Sequence, residues 1–149
     1  SNFDYCRSNF CRWVRGRIFQ RSLMHVRYSH WSSVPSVEWP YLFFKPVELA
    51  SKGDGSLLAN HPAIQKLEAL RRLLGKPVII NSAYRDPIHN ARVGGAPMSR
   101  HKKGDAFDIA LKSQSKQQLI QFAKQAGFTG FGINYRSFLH VDCGPERSW

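Results

Sequence analysis

The segment SRHKKGDAFDIAL, residues 99–111, decides the fold together with FLHVD, residues 138–142. In the first segment, a loop that ends at His101 leads into an apolar run that carries Asp108. In the second, His140 lies between apolar residues, as in a short buried strand. Two imidazoles and one carboxylate are a common ligand set for catalytic zinc, with a fourth position left for water. The spacing alone leaves two interpretations open: a metal site, or histidines that are solvated or packed in a core.

Two amphipathic helices are predicted, one on each side of the first segment. The earlier helix begins after an Asn60 N-cap, has Pro62 in its first turn and ends at Gly75. Apolar side chains recur along it at helical spacing, at Ile64, Leu67, Leu70 and Leu74. The later helix begins with a capping box at Ser115 and ends at Gly127.

Short strands and a long loop complete the predicted domain. The strands are expected over residues 78–80, 107–111, 131–134 and 138–142, and a helical turn over residues 46–50. A loop is predicted over residues 82–100, and a loop of that length in a compact domain is usually functional or disordered. The order of elements indicates an α+β domain with a small, mainly antiparallel sheet flanked by helices.

The composition is that of a folded, strongly basic chain. Of its 149 residues, 42% are hydrophobic and 13% aromatic, which excludes wholesale disorder. A net charge of +12 indicates an anionic partner, such as nucleic acid, an anionic membrane or an anionic polymer. No apolar run approaches the roughly 20 residues of a membrane span, and no secretory signal is visible. The chain has three cysteines, at Cys6, Cys11 and Cys143. An odd number leaves at least one thiol free, and so few exclude a disulfide scaffold.

The N-terminal region differs from the rest of the chain in its charge. Residues 1–35 hold six Arg, no Lys and one acidic residue, a net charge of +5. The arginines alternate with apolar residues between Phe10 and Tyr28, and a Ser- and Pro-rich stretch follows at residues 32–36. We therefore predict a basic extension over residues 1–38 and a domain over residues 39–149. The extension is either an arm for an anionic surface or partner protein, or a partly ordered segment that lies on the domain.

Several motifs occur together in a fixed order along the predicted domain. They are Asn81-Ser82-Ala83-Tyr84-Arg85, Asn90-x-x-Val93-Gly94-Gly95-Ala96, Ser99-x-His101-x6-Asp108, Phe138-Leu139-His140-Val141-Asp142 and the ending Arg147-Ser148-Trp149. With them, residues 39–149 resemble the M15 zinc peptidases, which include D-Ala-D-Ala carboxypeptidases and related peptidoglycan endopeptidases. The resemblance implies the fold that these enzymes share with the hedgehog signalling domain. No HExxH helix occurs, so the zincin architecture is excluded.

The resemblance also implies roles for individual residues. His101, Asp108 and His140 would be the zinc ligands. Arg85 would bind a substrate carboxylate or stabilise the oxyanion, for which its planar guanidinium is suited, unless it forms a structural ion pair with Asp86 or another loop acid. Ser99 would orient a ligand or contact substrate, unless it is only a turn residue.

The general base departs from the family pattern. Many members carry Glu or His shortly before the last ligand, where this chain has Ser137 and Phe138. Strand alternation places Asp142 on the same face as His140. We therefore expect Asp142 either to act on the zinc-bound water, as the base or by orienting it, or to hold His140 by a hydrogen bond in its ligand tautomer.

The function implied by the resemblance is zinc-dependent hydrolysis of an amide bond in the stem peptide or cross-link of peptidoglycan. The activity would be of the D-Ala-D-Ala carboxypeptidase or the endopeptidase (endolysin) type. We expect peptidoglycan stem peptides as partners, no nucleic acid, and a monomer that acts in the bacterial cell envelope or as a phage lysin or virion enzyme. One alternative is a non-catalytic zinc module of this fold that binds a cell-wall peptide or protein. Another is a nucleic-acid-binding domain, supported only by the charge and aromatic content.

Overall fold

The computed structural model of the protein describes residues 24–149. The predictions for Cys6 and Cys11, and those for the arm before residue 24, lie outside the described residues. Within them, Cys143 is a free thiol. Burial raises the pKa of this thiol to about 11, so it is protonated at neutral pH. No helix among residues 24–149 is long and apolar enough to cross a membrane.

The fold is α+β, as predicted, and its main sheet has five strands in the order β3-β4-β6-β5-β7. These strands are β3 (Ile80–Ser82), β4 (Ala106–Ala110), β5 (Gly130–Gly132), β6 (Phe138–Asp142) and β7 (Arg147–Ser148). All neighbours are antiparallel except β5 and β7, which are parallel. The prediction for residues 138–142 is confirmed, whereas β3 begins two residues later than predicted.

A separate two-stranded sheet was not predicted. It pairs β1 (His25–Tyr28) with β2 (Leu57–Asn60) in antiparallel register, with His25 opposite Asn60. Four residues of the predicted extension are therefore hydrogen-bonded to the folded domain. The division of the chain at residue 39 stays a prediction.

Four helices are present within residues 24–149, and the two long ones begin and end at the predicted capping residues. They are α1 (Pro46–Leu49), α2 (His61–Leu74), α3 (Pro87–Arg92) and α4 (Lys116–Ala126). The Asn60 side chain accepts a hydrogen bond at the N-terminus of α2, and Gly75 ends that helix with a φ of 67°. Ser115 caps α4 in the same way, and Gly127 ends it in the left-handed conformation. Both features follow from the need to satisfy free backbone groups at helix ends.

The prediction of an unbroken loop over residues 82–100 was wrong, because α3 lies within it. Asp86 accepts a hydrogen bond from the His89 N–H, and Pro87 occupies the first helical position. An Asp N-cap followed by Pro favours a helix start, so the sequence held the signal. A 3-10 turn follows at Arg100–Lys103.

The hydrophobic core lies against one face of the main sheet. Helices α2 and α4 pack against each other. Apolar residues of these helices and of β4 and β6 form one buried cluster that includes Ile64, Leu67, Leu70, Phe107, Ile109, Leu119, Ala123, Leu139 and Val141. Because side chains alternate along a strand, the residues between them on β4 and β6 point to the opposite face. That face carries Asp108, His140 and Asp142.

Candidate metal centre and active site

Adjacent strands bring two of the predicted ligands together. Asp108 on β4 is the register partner of His140 on β6. Facing residues on neighbouring antiparallel strands have side chains about 5 Å apart, so this register alone makes them neighbours. The Asp108 Oδ1 atom lies 2.9 Å from His140 Nδ1.

The 3-10 turn at Arg100–Lys103 supplies the third predicted ligand, His101. The His101 side chain is buried, and its Nε2 lies 3.2 Å from the same Oδ1 of Asp108. The turn ends at Gly104, whose φ of 71° favours glycine. A Cβ atom at this position would also overlap the backbone oxygen of Leu58. Glycine therefore allows the turn to lie against β2 and fixes where His101 points.

Hydrogen bonds on the far side of each imidazole determine which nitrogen is free. His101 Nδ1 lies 2.7 Å from the carbonyl oxygen of Ala83 and must donate to it. His140 Nε2 lies 2.7 Å from Asp142 Oδ2 and donates to that carboxylate. In a neutral imidazole the other nitrogen carries a lone pair, so both lone pairs face Asp108. Ligating histidines in proteins are typically oriented in this way.

These three side chains form a donor set that fits a metal cation. One ligand atom from each of His101, Asp108 and His140 can be chosen so that all lie within 4.8 Å of one another, and all three residues are buried. At 3.2 and 2.9 Å from Asp108 Oδ1, the two nitrogens can donate a proton to the carboxylate when the imidazoles are protonated, or bind one cation together with it when they are neutral. Two imidazoles and a carboxylate suit zinc and leave a fourth position open.

The charges of the cluster are set by competition between burial and hydrogen bonding. Burial raises the pKa of Asp108, but the facing imidazoles of His101 and His140 outweigh it and hold the pKa at about 2. Burial lowers the pKa of His140, but the carboxylates of Asp108 and Asp142 outweigh it and raise that pKa. Asp108 is therefore ionised at neutral pH, as a metal ligand must be.

Asp142 lies behind His140 and is closed off from the cavity beside the ligands. Its side chain has no exposed surface. Oδ1 accepts hydrogen bonds from the Gly144 N–H and Arg147 Nη1, both at 2.9 Å. Oδ2 accepts from Arg147 Nη2 and His140 Nε2, both at 2.7 Å. These hydrogen bonds outweigh the effect of burial and hold the pKa of Asp142 far below its usual value.

The strand beside β6 leaves room for this ion pair. Gly130 on β5 is the register partner of Asp142. A Cβ atom at position 130 would overlap both the Asp142 carboxylate and the Arg147 guanidinium. The bidentate pair of Arg147 with Asp142 was not anticipated from the sequence, although Arg147 belongs to the quoted C-terminal motif. A glycine within the strand at position 130 was the one sequence feature that indicated a close approach of other groups there.

Arg85 reaches the ligand cluster from the other direction. Its Nη2 lies 3.3 Å from Asp108 Oδ2, its Nε donates to Ser82 Oγ at 3.0 Å, and its Nη1 donates to Asn90 Oδ1 at 3.4 Å. The ion pair of Arg85 is therefore with Asp108, whereas Asp86 caps α3. Since a guanidinium has five N–H groups, these bonds leave two of them for a ligand.

Ser99 occupies the N-cap of the 3-10 turn. Its hydroxyl oxygen accepts a hydrogen bond from the His101 N–H at 3.3 Å. The residue also lines the cavity beside the ligand cluster. Both interpretations of Ser99, as a turn residue and as a group that faces substrate, are therefore compatible with its position.

An open cavity of about 560 Å³ lies against the ligand cluster. Its charged lining includes Arg85, Arg100 and Arg147, and its aromatic lining consists of Tyr135, Phe138 and Trp149. The rings of Tyr135 and Phe138 stack with 4.3 Å between centroids, and the Trp149 ring centroid lies 5.1 Å from that of His140. Among residues 24–149, Asp108 is the only carboxylate that lines this cavity. The cavity can therefore hold an anionic, partly apolar ligand beside the metal ligands.

Sequence similarity to known proteins covers the part of the chain that carries the three predicted ligands. Residues 44–142 match the family model described as peptidase M15. The chain is 39% identical over 89 residues to the zinc D-Ala-D-Ala carboxypeptidase of Streptomyces albus G, covering 56% of this chain and 35% of that protein. It is 35% identical over 92 residues to the peptidoglycan L,D-endopeptidase MepK of Escherichia coli K12, covering 56% of this chain and 50% of that protein. The chain thus spans a third to a half of the length of these curated relatives.

Proposed function

The chain belongs to the peptidase M15 family, and on this premise we propose that it hydrolyses an amide bond of peptidoglycan with zinc held by His101, Asp108 and His140. The observation that carries the proposal is the convergence of two imidazole lone pairs on Asp108 beside an open cavity. The zinc-containing and peptidoglycan-cleaving relatives support the metal and the substrate class. We place its site of action at the cell wall.

The zinc ion would supply the chemistry that none of these side chains has. When bound, it lowers the pKa of its water from 15.7 to about 7 and polarises the scissile carbonyl. The protein contributes the donor set and its fixed tautomers. Because His101 donates to a backbone carbonyl and His140 to a buried carboxylate, neither ring can turn without losing a hydrogen bond.

Arg85 binds and orients substrate in this proposal. Its two remaining N–H groups lie beside Asp108, at the edge of the donor set. There they can bind the terminal carboxylate of a stem peptide or the oxyanion that develops on the scissile carbonyl. Ser99, one residue from the turn that carries His101, has a hydroxyl proton to donate to the same substrate.

Asp142 acts as a positioning residue in this proposal rather than as the general base. Both of its oxygens are engaged by Arg147, and it contacts the nitrogen of His140 that faces away from Asp108. A general base must lie within hydrogen-bond reach of the proton that it takes. Asp142 lacks that reach, so the second of the two expected roles is the one that the hydrogen bonds support.

A second candidate function is a non-catalytic zinc module that binds a wall peptide. The observation in its favour is that the cavity, within residues 24–149, has no carboxylate besides Asp108 that could act as a base. Such a module would retain zinc and bind stem peptides without cleaving them.

The experiment that decides between them is mass spectrometry of purified muropeptides after incubation with the zinc-loaded protein. Chelated protein and a His101→Ala variant are the controls. Loss of one alanine from a pentapeptide identifies a carboxypeptidase, and cleavage within the peptide or cross-link identifies an endopeptidase. Unchanged muropeptides that nevertheless bind to the zinc-loaded protein would establish the binding module instead.

A further inference from the structure

A second cavity lies against the same 3-10 turn that carries His101. It has a volume of about 600 Å³ and is formed by β1, β2, the start of α2 and the turn itself. We call it the basic groove, because its lining includes five cationic side chains: Arg27, Lys66, Arg100, Lys102 and Lys103. Arg100 lines both this groove and the cavity beside the metal ligands.

The cations of the basic groove are mostly uncompensated. Among residues 24–149, the only carboxylate in its lining is Asp105, and this residue already forms an ion pair with Arg100. Lys102 donates to the neutral carbonyl oxygen of Pro97 at 2.9 Å. No ion pair to a described residue neutralises Arg27, Lys66, Lys102 or Lys103. The groove therefore holds four positive charges that no described carboxylate neutralises.

The segment that precedes β1 is also rich in basic residues. Residues 1–23, which precede β1, carry five Arg and a single acidic residue, Asp4, for a net charge of +4. This net charge has the same sign as that of the groove. These 149 residues carry an excess of twelve positive charges, which favours an anionic partner.

The distribution of the charges over three elements favours a polymer over a single small anion. Arg27 is on β1, Lys66 is on α2, and Lys102 and Lys103 are on the turn. These elements are fixed to each other: β1 pairs with β2, and the Asn60 amide donates to the carbonyl oxygen of Lys103 at 3.2 Å. One phosphodiester carries one negative charge, so four fixed cations match several successive phosphates.

We propose that the basic groove binds a linear phosphodiester polymer attached to the cell wall. Assigning the polymer to the wall rests on the proposed function, whereas the need for a repeated anion rests on the groove alone. Because the groove and the cavity at the metal ligands share Arg100, a polymer in the groove holds the protein with its ligand cluster close to the wall. The groove thus serves retention on the wall, and hydrolysis does not depend on it.

The test compares two triple charge reversals that change the net charge equally. The groove variant is Arg27→Glu, Lys66→Glu and Lys103→Glu, and the control variant is Lys52→Glu, Arg72→Glu and Lys112→Glu, none of which lines either cavity. The measurement is binding of soluble poly(glycerol phosphate) to the full chain by fluorescence polarisation. We expect the groove variant to bind at least about tenfold more weakly than the control variant.

Equal weakening in both variants would overturn the proposal, since net charge alone would then explain binding. Tighter binding of the wild-type protein to duplex DNA or to phosphatidylglycerol vesicles, at equal phosphate concentration, would overturn the assignment to a wall polymer. Thermal unfolding verifies that both variants fold. If the groove variant does not fold, the double variant Lys66→Gln with Lys103→Gln replaces it. Hydrolysis of a soluble muropeptide is expected to be unchanged in the groove variant. This readout separates a failure of the groove proposal from a failure of the proposed function.

Discussion

The two sides of His140 face two carboxylates that differ in what else they bind. On one side, Nδ1 lies 2.9 Å from Asp108; on the other, Nε2 lies 2.7 Å from Asp142. Asp142 has no exposed side-chain surface and is paired with Arg147. Asp108 lines the open cavity and faces a second lone pair, that of His101. The two aspartates on adjacent strands thus differ in access. Asp108 borders the open cavity, whereas Asp142 is enclosed and has both oxygens bonded to Arg147.

This difference shows that a carboxylate's role follows from its remaining partners rather than from its distance to the histidine. Hydrogen bonds hold the pKa of both carboxyl groups below the usual value, so both are ionised at neutral pH. Of the two, only Asp108 lines the cavity. We call the Asp108 side of His140 the front side and the Asp142 side the rear side. Replacing residues on each side tests whether the front side binds metal and whether the rear side orients the ring.

The largest effect is expected from Asp108→Asn on the front side. An amide keeps the size of the side chain but removes the negative charge between the two imidazoles. We expect zinc content to fall to near zero and hydrolysis of muropeptides to fall at least about a thousandfold. Metal analysis of the purified protein and product mass spectrometry measure the two. The exposed Asp54→Asn is the matched control, and a zinc-replete Asp108→Asn protein would contradict the ligand assignment.

A smaller effect is expected from Arg85→Lys, also on the front side. Lysine keeps the positive charge but loses the planar fork that contacts Asp108, Ser82 and Asn90. We expect hydrolysis to fall by about a hundredfold to a thousandfold, as when an oxyanion donor is lost, with zinc content unchanged. Steady-state kinetics on a soluble muropeptide measure this, with the exposed Arg92→Lys as control. Normal turnover would show that the Arg85 fork is structural only.

On the rear side, Asp142→Asn and Arg147→Met are expected to weaken zinc binding by about tenfold to a hundredfold each. An amide at position 142 is a weaker acceptor for His140 Nε2, and loss of Arg147 removes the two hydrogen bonds that orient the Asp142 carboxylate towards the ring. Since both act through one ring, the double variant should be little worse than the single ones. Zinc affinity is measured by competition with a chromophoric chelator, and Arg136→Met is the control. Wild-type zinc affinity with abolished turnover in Asp142→Asn would instead identify Asp142 as the base.

Sequence patterns indicated that Asp142 could contact His140, but they did not indicate Arg147 as the partner of Asp142. Strand alternation predicts that His140 faces away from the core, and the caps at Asn60 and Gly75 fix α2, because both are local rules. The pairing of β1 with β2 joins segments about thirty residues apart and has no local signal. The Arg147 pair likewise depends on β7 lying beside β5, which brings the guanidinium over Gly130. Side-chain partners set by tertiary packing were therefore the part that sequence patterns could not supply.

The smallest effect is expected from Ser99→Ala, which removes the hydrogen bond that Ser99 accepts from the backbone of His101. The hydroxyl of Ser99 caps the turn through a bond to the His101 N–H, and at 3.3 Å this bond is long. We expect a loss of about 0.5 kcal/mol in the free energy of unfolding, at the low end for an N-cap. Ser115→Ala, which removes the cap of α4 away from the cavity, should cost a similar amount and leave hydrolysis unchanged. A rise in KM for Ser99→Ala alone would show that its hydroxyl contacts substrate. Equal kinetics in the two variants would limit the role of Ser99 to capping the turn. Ser99 would then act on the backbone of His101, whereas Asp142 acts on the ring of His140.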